Sequence, residues 1–355
     1  MQQHFMNKYI HMKLHFLNEQ VFRFFSSFYV YCLMELERGS IYMKIAIAGA
    51  GAMGSRIGLM LHQAGNEVIL IDRWPDHIKA IRENGLIGEF EDHKVVAHLP
   101  IYSPEEIVED HTSVDLVVAL TKSMQLRAMF QDIQSIISEK TFVFCLLNGL
   151  GHDETLSEFI PRENIIFGTT TWTAGLAGPG HASLVGRGSI EMENLDPSGK
   201  AFTLEVLEVF QKAGLNPVYS NNVRYSIWKK ACINGTLNGL CTILDCNIAD
   251  FGSLSIAGDL IETIVGEFAS VAEVEGIILD QPQVIQAIEA TYDVKAQGLH
   301  FPSMYQDLIR NHRKTEIDYI NGAVWQKGMN YQISTPYCAF LTQLIHAKEE
   351  LLEAK

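Results

Sequence analysis

The chain has 355 residues, 47% of them hydrophobic and 19% charged, a length that suggests about two cores rather than one. Its formal charge of −15 excludes a surface built to displace counterions from nucleic acid. Six cysteines (Cys32, Cys145, Cys232, Cys241, Cys246 and Cys338) show no CxxC pair and no histidine at ligand spacing, so free thiols in a reducing cytoplasm are expected and a bound metal is not.

Residues 1–42 differ from the rest of the chain. Val21–Met34 is aromatic-rich and broken by Arg23, and it falls short of the roughly 20 apolar residues a membrane span needs. No small-residue cleavage site comes after it, as a secretory signal would require. Neither a membrane partner nor an export signal is therefore expected. The favoured reading takes Met43 as the natural start and leaves 1–42 outside the fold, against the alternative of a peripheral arm.

From Met43 onward, apolar runs at Lys44–Ala48, Val68–Ile71, Val114–Leu120, Thr141–Leu147 and Ile165–Thr169 are short, rich in Ile and Val, and bounded by turn residues. Runs apolar on both faces suit strands of a parallel sheet covered on both sides. Helical spacing lies between them at Ser55–Gln63, Pro75–Glu83 and Gln125–Ser138, and Leu86–Phe90 with Lys94–His98 reads as an inserted hairpin. Strand signals fade after Tyr219, and from Asn222 to Ala354 the pattern is helical. The expected fold is α/β: a doubly wound sheet over 43–220, then a mainly α-helical domain over 221–355, with the ligand cleft between them.

The first strand runs directly into Gly49-Ala50-Gly51-Ala52-Met53-Gly54, a GxGxxG loop that opens a helix. In that context it is a Rossmann dinucleotide-binding fingerprint. Gly49 permits the tight turn, Gly51 lets backbone approach a pyrophosphate, and Gly54 lets helix and strand pack closely. Asp72 ends the second strand, where a carboxylate accepts the adenosine ribose hydroxyls and repels a 2′-phosphate, favouring NADH. Arg73 follows at once and keeps NADPH open, since an arginine near this position can accommodate that phosphate.

Further on, Lys230, Asn234 and Asn238 are spaced by four and line one helix face. An ammonium and two amides suit an oxo acid, and a lysine can stabilise and protonate the alkoxide that forms when hydride reaches a ketone carbon. Alone, such a row is as readily a solvated face. Its setting decides otherwise. The string Trp228-Lys229-Lys230-Ala231-Cys232-Ile233-Asn234-Gly235-Thr236-Leu237-Asn238, with Ser303-Met304-Tyr305-Gln306-Asp307 and Thr315-Glu316-Ile317-Asp318-Tyr319-Ile320-Asn321-Gly322, resembles the ketopantoate reductase (2-dehydropantoate 2-reductase) family from about Met43 to near the C-terminus.

The resemblance implies a proton donor at Lys230, substrate-binding amides at Asn234 and Asn238, and a serine for the substrate carboxylate at Ser303. It implies that Glu316 stands near the nicotinamide ribose and the reacting centre. Lys122 is implied near the cofactor, Asn148 in contact with cofactor and substrate, and Ala174 as a backbone contact to the nicotinamide. Its default cofactor is NADPH. There are departures, which by the resemblance surround the substrate more than the cofactor: Gly239-Leu240-Cys241 replaces the family's Pro-Leu-Thr, Trp172 and Leu176 stand where smaller or more polar residues are common, and the Ser303–Glu316 segment is one residue longer.

Three readings remain. The first is reduction of ketopantoate to pantoate, in pantothenate biosynthesis. The second is an NADH-dependent D-2-hydroxyacid dehydrogenase acting on branched or aromatic 2-oxo acids. The third is a non-catalytic dinucleotide sensor, disfavoured by the intact polar set. A small 2-oxo acid is the expected partner, with a homodimer as a candidate assembly.

Overall fold

The computed structural model describes residues 42–107, 113–295 and 297–355; the expectations for Val21–Met34 and Cys32 lie outside the described residues. Met43–Lys355 forms one compact unit. β1 (Lys44–Ala48) leads into α1 (Ala52–Gln63), followed by β2 (Glu67–Ile71) and α2 (Pro75–Asn84). The expected hairpin is present as β3 (Leu86–Glu89) and β4 (Lys94–Ala97), paired antiparallel. Then come β5 (Ile101–Tyr102), α3 (Pro104–Ile107), β6 (Leu116–Ala119), α4 (Leu126–Asp132), β7 (Phe142–Cys145), α5 (His152–Leu156) and β8 (Ile165–Thr170).

One expected helix is shorter. The Gln125–Ser138 pattern becomes α4 followed by a 3₁₀ turn at Ile133–Ile136. Side chains three apart eclipse in a 3₁₀ turn, so Ile133 and Ile136 both reach the core that Leu126, Met129 and Phe130 enter from α4. Of the strands not named from the sequence, β9 (Gly175–Gly178) and β10 (His181–Ser183) are short and rich in Gly, Ala and Ser, without branched alternation. They join the hairpin in a four-stranded sheet ordered β4-β3-β10-β9. β11 (Ile190–Asn194), α6 (Lys200–Lys212) and β12 (Pro217–Tyr219) complete the main sheet, ordered β12-β11-β8-β7-β6-β1-β2-β5. It is parallel throughout except where β11 meets β8. That antiparallel seam departs from an all-parallel sheet.

The rest is helical: α7 (Val223–Leu244), α8 (Ile248–Gly252), α9 (Ala257–Val274), α10 (Gln281–Glu289), α11 (Ser303–Tyr305), α12 (Asn321–Tyr331) and α13 (Pro336–Leu351). α7 runs through the helical core, whose buried residues include Trp228, Cys232, Cys241, Phe268, Val324 and Leu341. At Gly235 a Cβ would sit 2.4 Å from the Phe268 ring, so glycine there lets α7 and α9 approach. No helix among the described residues is long and apolar enough to cross a membrane.

Candidate active site

The glycine loop has the shape its sequence implies. Gly49 has φ +98°, a left-handed backbone that favours glycine, and its N–H and that of Ala50 both donate to the Ile71 carbonyl. At Gly54 a Cβ would fall 2.0 Å from the Gly49 carbonyl oxygen, whereas at Gly51 it would meet nothing within 4 Å. The crowded glycine fixes the loop, and the open one leaves an approach to its backbone. α1 begins with no side-chain cap and no acidic residue in its first turn, so the N–H groups near Ala52 and Met53 remain available to an anion. These features fit a dinucleotide pyrophosphate.

Asp72 lies at the end of β2 and accepts the Trp74 N–H at 2.9 Å. Arg73 forms an ion pair with Asp132 on α4, and its other terminal nitrogen lies 3.9 Å from Glu105 on α3. The residue that kept NADPH open therefore has its guanidinium engaged by two carboxylates.

The second cluster gathers residues from widely separated segments. Asn148, Asn234, Asn238, Ser303 and Glu316 line one narrow cavity, with Asp307, Met304 and Ile320 completing its wall. Asn148 arrives on the loop after β7. That loop docks on the Glu316–Ile320 segment, where Leu150 N–H donates to the Tyr319 carbonyl at 2.8 Å. Gly149, at φ +98°, makes the approach feasible, because a Cβ there would lie 2.5 Å from that same carbonyl. His152 lies 2.8 Å from the Asn148 carbonyl and secures the backbone from the other side.

Glu316 is held by Ser123, whose N–H and hydroxyl reach one carboxylate oxygen at 2.9 and 2.8 Å. Lys122 stands 3.7 Å from the other oxygen and donates to Asp307 at 2.6 Å. Asp307 also accepts from Arg313 at 2.8 Å. Lys230 Nζ donates to the Thr170 carbonyl at 3.0 Å, at the end of β8. Burial pushes its ammonium down to about 8, and the Glu316 charge opposes that fall without reversing it. Lys122, Lys230 and Arg313 against Asp307 and Glu316 leave one net positive charge in a chain of net charge −15. That suits an anionic ligand.

Two participants were not singled out from the sequence. Asp307 stood inside a quoted motif without being given a role, and Ser123 carried no signal because its role depends on Glu316, 193 positions away. Trp172, expected near the substrate, instead packs beneath Arg56 with 4.6 Å between guanidinium and ring, and its indole N–H donates to the Leu215 carbonyl. Cys241, also among the departures, lies in the helical core. Ala174 stands immediately before β9 and is not among the residues lining the cavity.

Residues 45–197 match the family model described as ketopantoate reductase PanE/ApbA, and 222–349 match its C-terminal model. The chain is 54% identical over 313 residues to 2-dehydropantoate 2-reductase of Lactococcus lactis, covering 88% of this chain and 100% of the relative. A crystal structure from Enterococcus faecalis, assigned as a 2-dehydropantoate 2-reductase, is 66% identical with a TM-score of 0.74, over 88% of this chain and 100% of the other. D-mandelate dehydrogenase in a ternary structure with NADH and anilino(oxo)acetate is 55% identical with a TM-score of 0.84, over the same shares.

Proposed function

This chain belongs to the ketopantoate reductase family, and on that premise we propose that it is a cytoplasmic enzyme reducing the 2-oxo group of ketopantoate to the hydroxyl of pantoate. The observation that carries the reading is the convergence of Asn148, Asn234, Asn238, Ser303 and Glu316 on one cavity, with Lys230 near enough to feel the Glu316 charge. Residues 43–220 hold the dinucleotide through Gly49, Gly51 and Gly54, the α1 N-terminus and Asp72. When bound, the reduced nicotinamide supplies the hydride. Residues 221–355 supply the proton and most of the substrate contacts.

Lys230 is the general acid. Its proton passes from Nζ to the oxygen of the former ketone, and a pKa lowered to about 8 keeps it mostly protonated near neutrality yet ready to release the proton. The Thr170 carbonyl orients the ammonium. Ser303, at the start of α11, receives the substrate carboxylate, and Asn234 and Asn238 take the remaining oxygens. Glu316, fixed by Ser123, opposes the loss of the Lys230 proton that burial favours. Lys122 bridges Asp307 and Glu316, and so serves the cofactor side by ordering carboxylates.

A second substrate reading draws on the D-mandelate dehydrogenase likeness and on the apolar wall of Met304 and Ile320, which suits a branched or aromatic substituent. NADH is the proposed cofactor, supported by Asp72 and by the engagement of Arg73. Steady-state rates with ketopantoate, 2-oxoisovalerate and phenylglyoxylate, each with NADH and NADPH, test both choices. The highest kcat/KM with ketopantoate and NADH is expected. A phenylglyoxylate rate tenfold above it moves the chain to the second reading, and no rate with any pair refutes the reductase.

A further inference from the structure

Resting on the dinucleotide reading, we propose that His77 is a positioning residue that aims the glycine loop at the cofactor pyrophosphate. His77 sits fully buried in α2. Its Nδ1 accepts the Gly180 N–H at 3.0 Å, in the turn between β9 and β10. The ring proton therefore lies on Nε2, which donates to the Ala50 carbonyl at 3.0 Å. Ser55 Oγ donates to the same carbonyl at 2.8 Å.

A trans peptide is planar, with C=O and N–H pointing oppositely. Two donors holding the Ala50 carbonyl therefore set the opposite direction of the Gly51 N–H, in a loop where even a Cβ on Gly51 would meet nothing within 4 Å. Free to rotate, that plane would present its carbonyl to the phosphate as readily as its N–H. Burial lowers the imidazole pKa, with the facing Asp72 charge and the Ala50 bond opposing, which keeps the ring neutral and its acceptor nitrogen available to Gly180. Trp74 stacks on the ring at 5.3 Å and 11° and fixes its plane.

The test is equilibrium binding of ADP-ribose, which carries the pyrophosphate, and of adenosine, which lacks it, to the full chain. His77→Phe preserves the ring and removes donor and acceptor; it is expected to weaken ADP-ribose about tenfold and adenosine less than twofold. His77→Gln offers both groups on one planar amide and is expected to recover ADP-ribose binding to within about threefold. Equal weakening of both ligands by His77→Phe, or none for either, overturns the proposal. Should His77→Phe fail to fold, Ser55→Ala carries the same contrast: a loss confined to ADP-ribose supports the proposal, and an equal loss for both overturns it. Wild-type protein that binds no ADP-ribose refutes the dinucleotide reading itself, a separate result.

Discussion

The two ends of the site are built in opposite ways. The glycine-loop end is made mostly of backbone: Gly49, Gly51 and Gly54 lie with Asp72 within one βαβ stretch, and their peptide groups are placed by local dihedral angles and by the bonds of Ser55 and His77 to the Ala50 carbonyl. The other end is made of side chains from five stretches, around Lys122–Ser123, Asn148, Lys230–Asn238, Ser303–Asp307 and Glu316, which meet only when sheet and helices pack. A backbone site tolerates change wherever its dihedrals survive. A side-chain site fails with any member whose charge it uses.

The largest expected effect belongs to the side-chain end. Lys230→Ala removes the proton donor and is expected to lower kcat about 10²–10⁴-fold, leaving NADH binding within about twofold. Equal losses in kcat and in NADH affinity would show that the two ends are not separable. The pH profile sharpens the same point. The lysine acts as an acid only while protonated, so reduction should fall as pH rises through about 8, and the reverse oxidation should rise there. A reduction rate flat from pH 6.5 to 9.5 removes Lys230 from proton transfer.

Next comes Ser123→Ala, which takes one hydroxyl from the Glu316 carboxylate and leaves the backbone N–H. A hydrogen bond to a charged group is worth about 1.5–3 kcal/mol, and the remaining N–H holds part of that, so a kcat loss of about tenfold is expected with the melting temperature little changed. Wild-type kcat would mean that Glu316 needs no such anchor.

The contrast also explains what the sequence made legible. β1 was read to the residue, and the loop after it matched its fingerprint, because strand, turn and helix there are consecutive and each glycine answers a local requirement. The Lys230–Asn234–Asn238 row was legible because a helix puts residues four apart on one face. Ser123 and Asp307 were not, since nothing local marks a serine or a buried acid that answers partners far along the chain. Trp172 misled for a related reason: its position in the chain lies near the site, but its indole turns beneath Arg56 and into the Leu215 backbone.

At the cofactor end, Asp72→Ala is expected to narrow the preference for NADH over NADPH, itself about tenfold, chiefly by improving NADPH. Two like charges about 4 Å apart repel by roughly 4 kcal/mol at an effective dielectric near 20, enough to dominate the choice even when largely screened. Unchanged discrimination would move the determinant elsewhere in the loop.

The smallest expected effect is at Arg73, and it tests whether that end is as fixed as its backbone suggests. The guanidinium pairs with Asp132 and lies 3.9 Å from Glu105, with all three side chains about a third or more exposed. Exposed pairs of this kind are worth about 0–1 kcal/mol, so they bias where the arginine points without locking it. Arg73→Ala should therefore change NADPH kcat/KM by less than about threefold, because Asp72 still repels the phosphate and the arginine spends most of its time elsewhere. Asp132→Ala releases the guanidinium and should raise NADPH use by no more than about fivefold, the equivalent of 1 kcal/mol, with no gain when Arg73 is also alanine. A drop beyond tenfold in Arg73→Ala alone would mean that the arginine leaves its carboxylates whenever the phosphate arrives. Cofactor choice would then rest on a mobile side chain, and the two ends of the site would be built alike.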